Sequence, residues 1–325
     1  MPQLACRHLF LHDFFLLLQR MVKLSLIIAT YNRSEQLLVA LQSLTAQTAS
    51  AELWECIVVD NNSTDDTQSV FNTFATRNPS LNIRIVTETK QGLSHARNRG
   101  IAESCGDYIA IIDDDEHVNS DYIRAYTDLF DSHPEYSVAG GRVVAEYPDG
   151  IRPPQISPLI EQALANPMDY GHEIREFPSG KIPAGGNMAF RRDILIRYDC
   201  FNSSLGRSGK QLTGGEECYL FERMAVDGIK FIYVPDAIIW HVIPQSKLSL
   251  DYLRRLAFGT GISQYRRAKL HGKVARLWFA EFMKWIATLL LAVGYTLKLQ
   301  PEKGKWLTVM RLYTTRGIMN EDEKI

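Results

Sequence analysis

Four short apolar runs in the first 120 residues constrain the fold of this 325-residue chain more than any other feature. They are rich in Val and Ile, and they occupy residues 23–29, 55–60, 83–87 and 108–112. Such runs are typical of parallel strands that are buried on both faces of a sheet. Helical patterns separate them, as at 34–47, where Ser34 is a candidate N-cap. The alternation predicts an α/β fold with an open, doubly wound, mainly parallel sheet.

An acidic turn follows the fourth run, at the end of the strand where such sheets bind ligands. It consists of Asp113, Asp114, Asp115 and Glu116. Adjacent carboxylates repel one another unless a cation neutralises them, and Mg²⁺ and Mn²⁺ prefer oxygen ligands. The turn therefore predicts a divalent-cation site. The alternative is a solvated acidic turn that caps the following helix.

Two further motifs predict a nucleotide site at the same edge. Asp60 ends the second run and could accept a hydrogen bond from a ring N–H of a base, while the residues from Ser63 onward start the next helix. Arg97 lies in the segment QGLSHARNRG and could place positive charge near a diphosphate. The alternative for this segment, an arginine on a solvated helix face, suits Arg99 better.

A fourth motif, Gly214-Gly215-Glu216-Glu217, precedes an apolar helix. A flexible turn that presents carboxylates can supply a general base. Acidic residues also interact favourably with the N-terminal end of a helix dipole. One glutamate could therefore serve each purpose.

Six motifs follow one another in residues 23–245: IIATYNR, VVDNNSTDDT, GLSHARNRGI, IIDDDE, GGNMAFRR and GGEE. In this order they resemble the family 2 inverting glycosyltransferases, whose GT-A fold is a Rossmann-like doubly wound sheet. The resemblance implies hexosyl-type transfer, with inversion, from a nucleotide-sugar donor that is UDP-linked. It implies a glycan or lipid-linked acceptor in cell-surface polysaccharide or glycolipid synthesis, and Mg²⁺ or Mn²⁺ as cofactor.

The resemblance also implies which residues bind the donor. Thr30, Tyr31 and Asp60 would contact the nucleoside. Asp113 and Asp115 would engage ribose and metal, and we place Asp114 beside them at the nucleotide. A histidine that follows the last sheet strand, His241, would reach the metal or the diphosphate, although a lone histidine is also compatible with a structural role.

For the acceptor side, the resemblance implies a loop at Gly185, Gly186 and Asn187. The family's catalytic aspartate corresponds to Glu217 in this chain, which is one methylene longer. Glu217 is therefore the expected base, and Glu216 is the alternative.

The region beyond residue 245 is predicted to be helical. Residues 277–297 are apolar apart from Glu281 and Lys284, and tryptophans and basic residues lie in and around them. This pattern predicts peripheral attachment to the cytoplasmic face of an anionic membrane, and the two charges argue against a span. The alternative is a helix that packs on the catalytic domain or on a second subunit.

Bulk composition limits the remaining possibilities. The 36 Lys and Arg nearly cancel the 37 Asp and Glu, which gives no support for a nucleic-acid partner. The five cysteines form no CxxC pair, which fits a reducing cytosol. We expect residues 1–20 to be an extension ahead of a natural start at Met21, or else a short amphipathic anchor. Residues 21–245 would form the catalytic domain and residues 246–325 the helical, membrane-associating region.

Two other functions stay open at this point. A sugar-nucleotidyltransferase would be expected to carry a Gly-rich basic loop after the first strand, where this chain has Thr30-Tyr31-Asn32-Arg33. A catalytically inactive scaffold of a polysaccharide-assembly complex would explain the departure at Glu217.

Overall fold

The computed structural model describes residues 22–207 and 212–320, so the predicted extension at residues 1–20 lies outside the described residues. The strands are β1 (Leu24–Thr30), β2 (Trp54–Asp60), β3 (Ile83–Thr87), β4 (Tyr108–Asp113), β5 (Glu116–Val118), β6 (Val138–Glu146), β7 (Arg175–Glu176), β8 (Met188–Arg191) and β9 (Phe231–Val242). The helices are α1 (Ser34–Ser43), α2 (Thr67–Arg77), α3 (Leu93–Glu103), α4 (Tyr122–Ser132), α5 (Pro158–Ala165), α6 (Arg192–Arg197), α7 (Glu216–Val226), α8 (Leu250–Leu270), α9 (Val274–Leu297) and α10 (Pro301–Met319).

The strands form one mixed sheet in the order β3-β2-β1-β4-β8-β6-β9-β5, and β7 pairs with β9. Strands β1 to β4 are parallel, and β8 joins β4 to β6 in antiparallel pairing. The register pairs Thr30 with Asp60 and Ala29 with Asp113. The predicted doubly wound, mainly parallel α/β sheet with a helical C-terminal region is confirmed.

The apolar runs form strands because both faces of the sheet are covered. Every residue of β1 and β2 is buried. Four of these residues are polar, and two of them pair directly, since Ser25 donates to Glu55 over 2.6 Å. Helix α3 lies very close to the sheet at Gly100, where an added Cβ would stand 2.5 Å from the Ile27 side chain. This close packing fixes α3, and therefore Arg97, over the carboxyl end of β1.

Two local predictions are wrong. Helix α1 includes Ser34 as its first residue, so Arg33 occupies the N-cap position, and the helix gives way to a 3-10 turn at Leu44. Residues 147–185, expected as loops, contain α5, whose N-cap Ser157 accepts from the Ile160 N–H. At eight residues, α5 shows too little periodicity to be recognised in the sequence.

The C-terminal helices form a second apolar cluster with α5. Trp306 of α10, Leu253 of α8 and Ile160 of α5 are all buried in it. Helix α10 packs against both α8 and α9. The boundary at residue 245 between a catalytic and a helical domain stays a prediction.

Candidate active site

A cleft opens at the carboxyl ends of β1 and β4. Its lining comprises Ala29, Thr30, Tyr31, Arg33, Asn61, Gln91, Leu93, Ala96, Asp113, Asp114, Asp115 and Arg207. Asp60 is not among these residues. It is buried next to the cleft, and its Oδ1 accepts the Ser63 N–H over 2.9 Å.

One asparagine shapes the wall of the cleft between β2 and α3. Asn61 Nδ2 donates to the carbonyls of Glu88 and Lys90 over 2.9 and 2.8 Å. Its Oδ1 accepts the Gly92 N–H over 2.7 Å. Asn61 therefore holds the segment that leads into α3, and Arg97 lies on the second turn of that helix.

Asp114 of the acidic turn is held from the side of β1. Thr30 Oγ1 donates to its Oδ2 over 2.9 Å, and Arg33 Nη1 donates to its Oδ1 over 2.7 Å. Burial, to which the charge of Asp115 adds, raises the pKa of Asp114 to about 6 against the opposing charge of Arg33. Both oxygens of Asp114 are thus engaged by the protein.

Asp115 is surrounded by basic groups. Lys247 Nζ donates to its Oδ2 over 2.5 Å, Arg33 Nη1 lies 3.2 Å away, and His241 Nε2 lies 3.8 Å away. Burial opposes ionisation, yet the charges of Lys247, His241 and Arg33 hold the pKa of Asp115 far below its ordinary value. Asp115 is therefore a carboxylate across the physiological pH range.

The buried side chain of Glu116 lies between the acidic turn and the predicted acceptor loop. Its Oε2 accepts the Asp113 N–H over 2.9 Å, and an added Cβ on Gly186 would stand 2.1 Å from its Oε1. Burial and the charges of Asp113 and Asp115 raise the pKa of Glu116 well above its ordinary value. Only a glycine at position 186 allows the predicted acceptor loop to pack this closely on the acidic turn.

The residues around Asp115 fit a cation with two protein ligands. His241 Nε2 is buried without a hydrogen-bond partner and faces Asp115. Burial lowers the pKa of His241, which favours the neutral imidazole that binds metals. Within residues 22–207 and 212–320, no three His, Cys, Asp or Glu side chains converge as a preformed site. Mg²⁺ commonly takes one or two carboxylates together with substrate phosphates, so two protein ligands are sufficient.

Arg97 connects three parts of the site. It is buried, its Nη2 donates to Asp113 Oδ1 over 2.8 Å and to the Gly185 carbonyl over 3.0 Å, and its Nη1 donates to Glu216 Oε1 over 2.8 Å. The acidic turn, the predicted acceptor loop and the start of α7 therefore converge on one guanidinium. The predicted contact of Arg97 with the diphosphate stays a prediction.

The two candidate bases differ in accessibility. Glu216 is 2% exposed and paired with Arg97, whereas Glu217 is partly exposed. Glu217 borders Gly185, since an added Cβ there would stand 3.4 Å from the Glu217 Cδ atom. An acceptor that approaches the Gly185 loop would thus meet Glu217 and not Glu216.

Asn187 is fully buried, and four hydrogen bonds occupy its side chain. Its Nδ2 donates to the Arg142 and Ala237 carbonyls, each over 3.0 Å, and its Oδ1 accepts from Tyr122 and Tyr126 over 3.1 and 2.6 Å. The side chain therefore anchors the loop to β6, β9 and α4. Any contact of this residue with an acceptor would fall to its backbone.

Three basic residues of the site were not predicted from the sequence: Arg33, Arg207 and Lys247. A signal existed for Arg33, which directly follows the polar end of the first strand. Lys247 lies in a 3-10 turn, Gln245–Leu248, that follows β9, and its only signal is its position six residues after His241.

The sheet topology, with an acidic turn at its carboxyl edge, is that of a GT-A fold. The chain belongs to glycosyl transferase family 2, whose profile matches residues 25–199. A glucosyl-dolichyl phosphate glucuronosyltransferase of Haloferax volcanii is 25% identical over 249 residues, which are 75% of this chain and 76% of that protein. A Campylobacter jejuni GalNAc(5)-diNAcBac-PP-undecaprenol beta-1,3-glucosyltransferase is 33% identical over 100 residues, 31% of this chain and 32% of that one.

A solved structure has the same fold. The mannosyltransferase PcManGT from Pyrobaculum calidifontis, in complex with GDP-Man and Mn²⁺, superimposes with a TM-score of 0.62. The superposition covers 92% of this chain and 86% of that chain at 20% sequence identity. At this identity the likeness establishes the fold alone.

Proposed function

We propose that this glycosyltransferase moves a hexose, with inversion, from a UDP-sugar to a glycan or lipid-linked acceptor in cell-surface polysaccharide or glycolipid synthesis. The names of the relatives from Haloferax volcanii and Campylobacter jejuni support an acceptor on a dolichyl or undecaprenyl carrier. The Mn²⁺ in the Pyrobaculum calidifontis structure supports a divalent cation.

The convergence on Arg97 carries the proposal. Its guanidinium bonds Asp113 of the cleft and Glu216, the neighbour of Glu217, at 2.8 Å each. A donor in the cleft would therefore lie beside the start of α7, where Glu217 is open to an acceptor. Such an arrangement would bring the leaving group of a donor near the candidate base Glu217, and an in-line displacement needs the reacting groups to be held in this way.

The transfer is one displacement. The acceptor hydroxyl oxygen forms a bond to the anomeric carbon while the bond from that carbon to the diphosphate oxygen breaks. Glu217 takes the hydroxyl proton, and the bonding electrons leave with the nucleoside diphosphate. A cation held by Asp115 and His241, with Asp113 beside them, would neutralise charge on the leaving group. Attack opposite the leaving group inverts the anomeric centre.

Two isosteric substitutions test the base. Glu217→Gln keeps size and hydrogen bonding but cannot take a proton, so we expect a loss of about 10²–10⁴-fold in turnover with UDP affinity retained. Glu216→Gln is the matched control on the adjacent residue. Transfer from a panel of nucleotide sugars to membrane extract provides the assay, and NMR of the product gives its anomeric configuration. If Glu217→Gln is active and Glu216→Gln is inactive, the catalytic base is Glu216 and not Glu217.

We also propose that α9 attaches the enzyme to the membrane surface. In residues 22–207 and 212–320, α9 alone is long and apolar enough to cross a bilayer. Most of its exposed large apolar residues lie along one face, and Leu291, which is 41% exposed, lies outside it. That face comprises Phe279, Phe282, Met283, Ile286, Leu289, Leu290, Val293 and Leu297, each at least 41% exposed.

Neither Glu281 nor Lys284 of α9 interrupts this face. Glu281 is 1% exposed, and its Oε2 accepts from Arg311 over 3.0 Å while its Oε1 accepts from Thr315 over 2.7 Å. Lys284 lies two residues from Phe282, which is about 200° around a helix. The two charges were expected to argue against a span; because the charge of Glu281 is buried and paired, it does not interrupt the apolar face. Arg311 pairs with Glu281 and is largely buried, so we do not expect it to bind phospholipid headgroups.

A double substitution tests the lipid contact without disturbing the helix packing. Phe282→Ser with Leu290→Ser removes two exposed side chains, each contributing about 1.5–3 kcal/mol when fully buried. We expect binding to anionic liposomes at the cytoplasmic salt concentration to weaken by at least about tenfold. Val226→Ser, which removes an 81% exposed apolar residue from α7, is the control. Equal liposome binding by all three proteins would make the α9 face a packing or dimerisation surface.

A further inference from the structure

Helix α8 touches the turn that begins the base-bearing helix α7. Ser263 of α8 is buried, and its hydroxyl accepts the Gly214 N–H over 2.8 Å while donating to the Gly259 carbonyl over 2.7 Å. The Ser263 hydroxyl thus links the backbone of α8 to the backbone two residues before Glu216. Glu217 follows one residue further along.

Gly259 permits the close approach. An added Cβ there would stand 2.2 Å from the Leu212 carbonyl oxygen and 3.2 Å from the Thr213 nitrogen, which are both backbone atoms. On the other side of the contact, Gly215 has φ +97°, and an added Cβ would lie 3.1 Å from Arg267 Nη1 of α8. The backbone from Leu212 to Gly215 therefore rests directly on α8.

A second attachment fixes the rotation of α7. Glu222, on the second turn of α7, forms ion pairs with Arg267 Nε at 3.1 Å and with His271 Nε2 at 2.9 Å. Tyr219 packs its ring on that of His271 at 5.1 Å between centroids. Because α8 holds both the turn that precedes α7 and Glu222 on the second turn of α7, the direction of the Glu217 side chain depends on α8.

We propose that α8 is a positioning element of the active site, in which Gly259 and Ser263 set the place of Glu217. The C-terminal helices then form part of the catalytic scaffold in addition to carrying the proposed membrane surface. The inference rests on the proposed role of Glu217 as base, and the experiment below separates the two.

The helix supplies its own matched control. Gly261 lies two residues from Gly259, and an added Cβ there would stand 2.1 Å from the Thr314 carbonyl and 2.9 Å from Gly317 Cα of α10. The same change, Gly to Ala, therefore disturbs the turn before α7 when it is made at position 259, and disturbs α10 when it is made at position 261. Thr260, exposed between them, is a neutral site.

The experiment compares Gly259→Ala, Ser263→Ala, Gly261→Ala and Thr260→Ala in the full chain. Turnover is measured with the nucleotide sugar that the panel identifies, UDP affinity by calorimetry, and Tm by calorimetric scanning. We expect Gly259→Ala to lower kcat by about 10–100-fold through a displacement of the base of about 1 Å, with the Kd for UDP unchanged. Ser263→Ala should lower kcat several-fold, Gly261→Ala should lower Tm with kcat retained, and Thr260→Ala should change neither.

Hydrogen exchange supplies a readout that needs no substrate. Exchange of the backbone amides in 212–220 should rise in Gly259→Ala and Ser263→Ala but not in Gly261→Ala. Equal effects of Gly259→Ala and Gly261→Ala on kcat and on this exchange would overturn the proposal. So would a change in UDP affinity in place of kcat. An active Glu217→Gln would refute the base assignment, whereas the exchange data would still decide whether α8 holds α7.

Discussion

Asn187 offers a quantitative test of whether the residue anchors its loop or contacts the acceptor. Asn187→Ala removes partners from the Arg142 and Ala237 carbonyls and from the Tyr122 and Tyr126 hydroxyls, all within 3.1 Å. At the lower end of about 1–3 kcal/mol for each buried group that is left unpaired, four groups amount to about 4 kcal/mol. This is a large share of a typical domain stability of about 5–15 kcal/mol. Asn187→Asp should cost more, because it places a carboxylate oxygen against a carbonyl.

Urea unfolding at fixed pH measures the loss, and Asn72→Ala on the exposed side of α2 is the control, expected within about 0.5 kcal/mol of wild type. The anchoring role predicts that activity falls with the folded fraction while the acceptor KM stays constant. A loss below about 1 kcal/mol together with a raised acceptor KM would refute the reasoning. The side chain would then contact the acceptor.

Two further predictions concern the charged groups of the site. Exhaustive chelation should abolish transfer and Mn²⁺ should restore it. Asp115→Asn should weaken Mn²⁺ binding measured in the presence of UDP, and full activity after chelation would exclude the cation role. Burial, with the charge of Glu217, raises the pKa of Glu216 to about 8 against the charge of Arg97, whereas an unfolded glutamate titrates near about 4.3. The stability that Glu216 contributes is therefore fully present below the unfolded pKa and is lost as the pH rises through the raised value. The free energy of unfolding of wild type, measured in urea, should fall relative to that of Glu216→Gln over that pH range. A difference between the two proteins that stays constant with pH would contradict the prediction.

The first half of the sheet was predictable because its strands are continuous apolar runs. In the second half, strands β5, β6 and β8 were not predictable, because distant partners define them. Strands β5 and β8 have only three and four residues. Strand β6 contains Gly140 and Gly141, which are poor strand formers. Glycine is needed at position 141 because an added Cβ would stand 1.8 Å from the Ala237 carbonyl of β9, and no local pattern reveals that contact.

The candidate site divides in the same way. Its carboxylates and glycines lie in contiguous motifs at strand ends and helix starts, so the sequence predicted them. The basic groups that pair with them are distant in sequence: Arg33 lies 81 residues from Asp114, and Lys247 lies 132 residues from Asp115. Pairings over such separations depend on the folded sheet and on the turn after β9. The sequence could identify the acidic turn but not what neutralises it.

This neutralisation changes the physical reason to expect a divalent cation. Repulsion within the acidic turn was the reason to expect a cation from the sequence. In the structure, however, Asp113 pairs with Arg97, Asp114 with Arg33 and Asp115 with Lys247. A divalent cation that entered alone would add uncompensated positive charge to a buried site, which is costly. The diphosphate of a donor brings the negative charge that offsets it. The affinity for Mn²⁺ should therefore be higher with UDP bound than without it, and equal affinities would mean that the acidic turn binds the cation without help from the diphosphate.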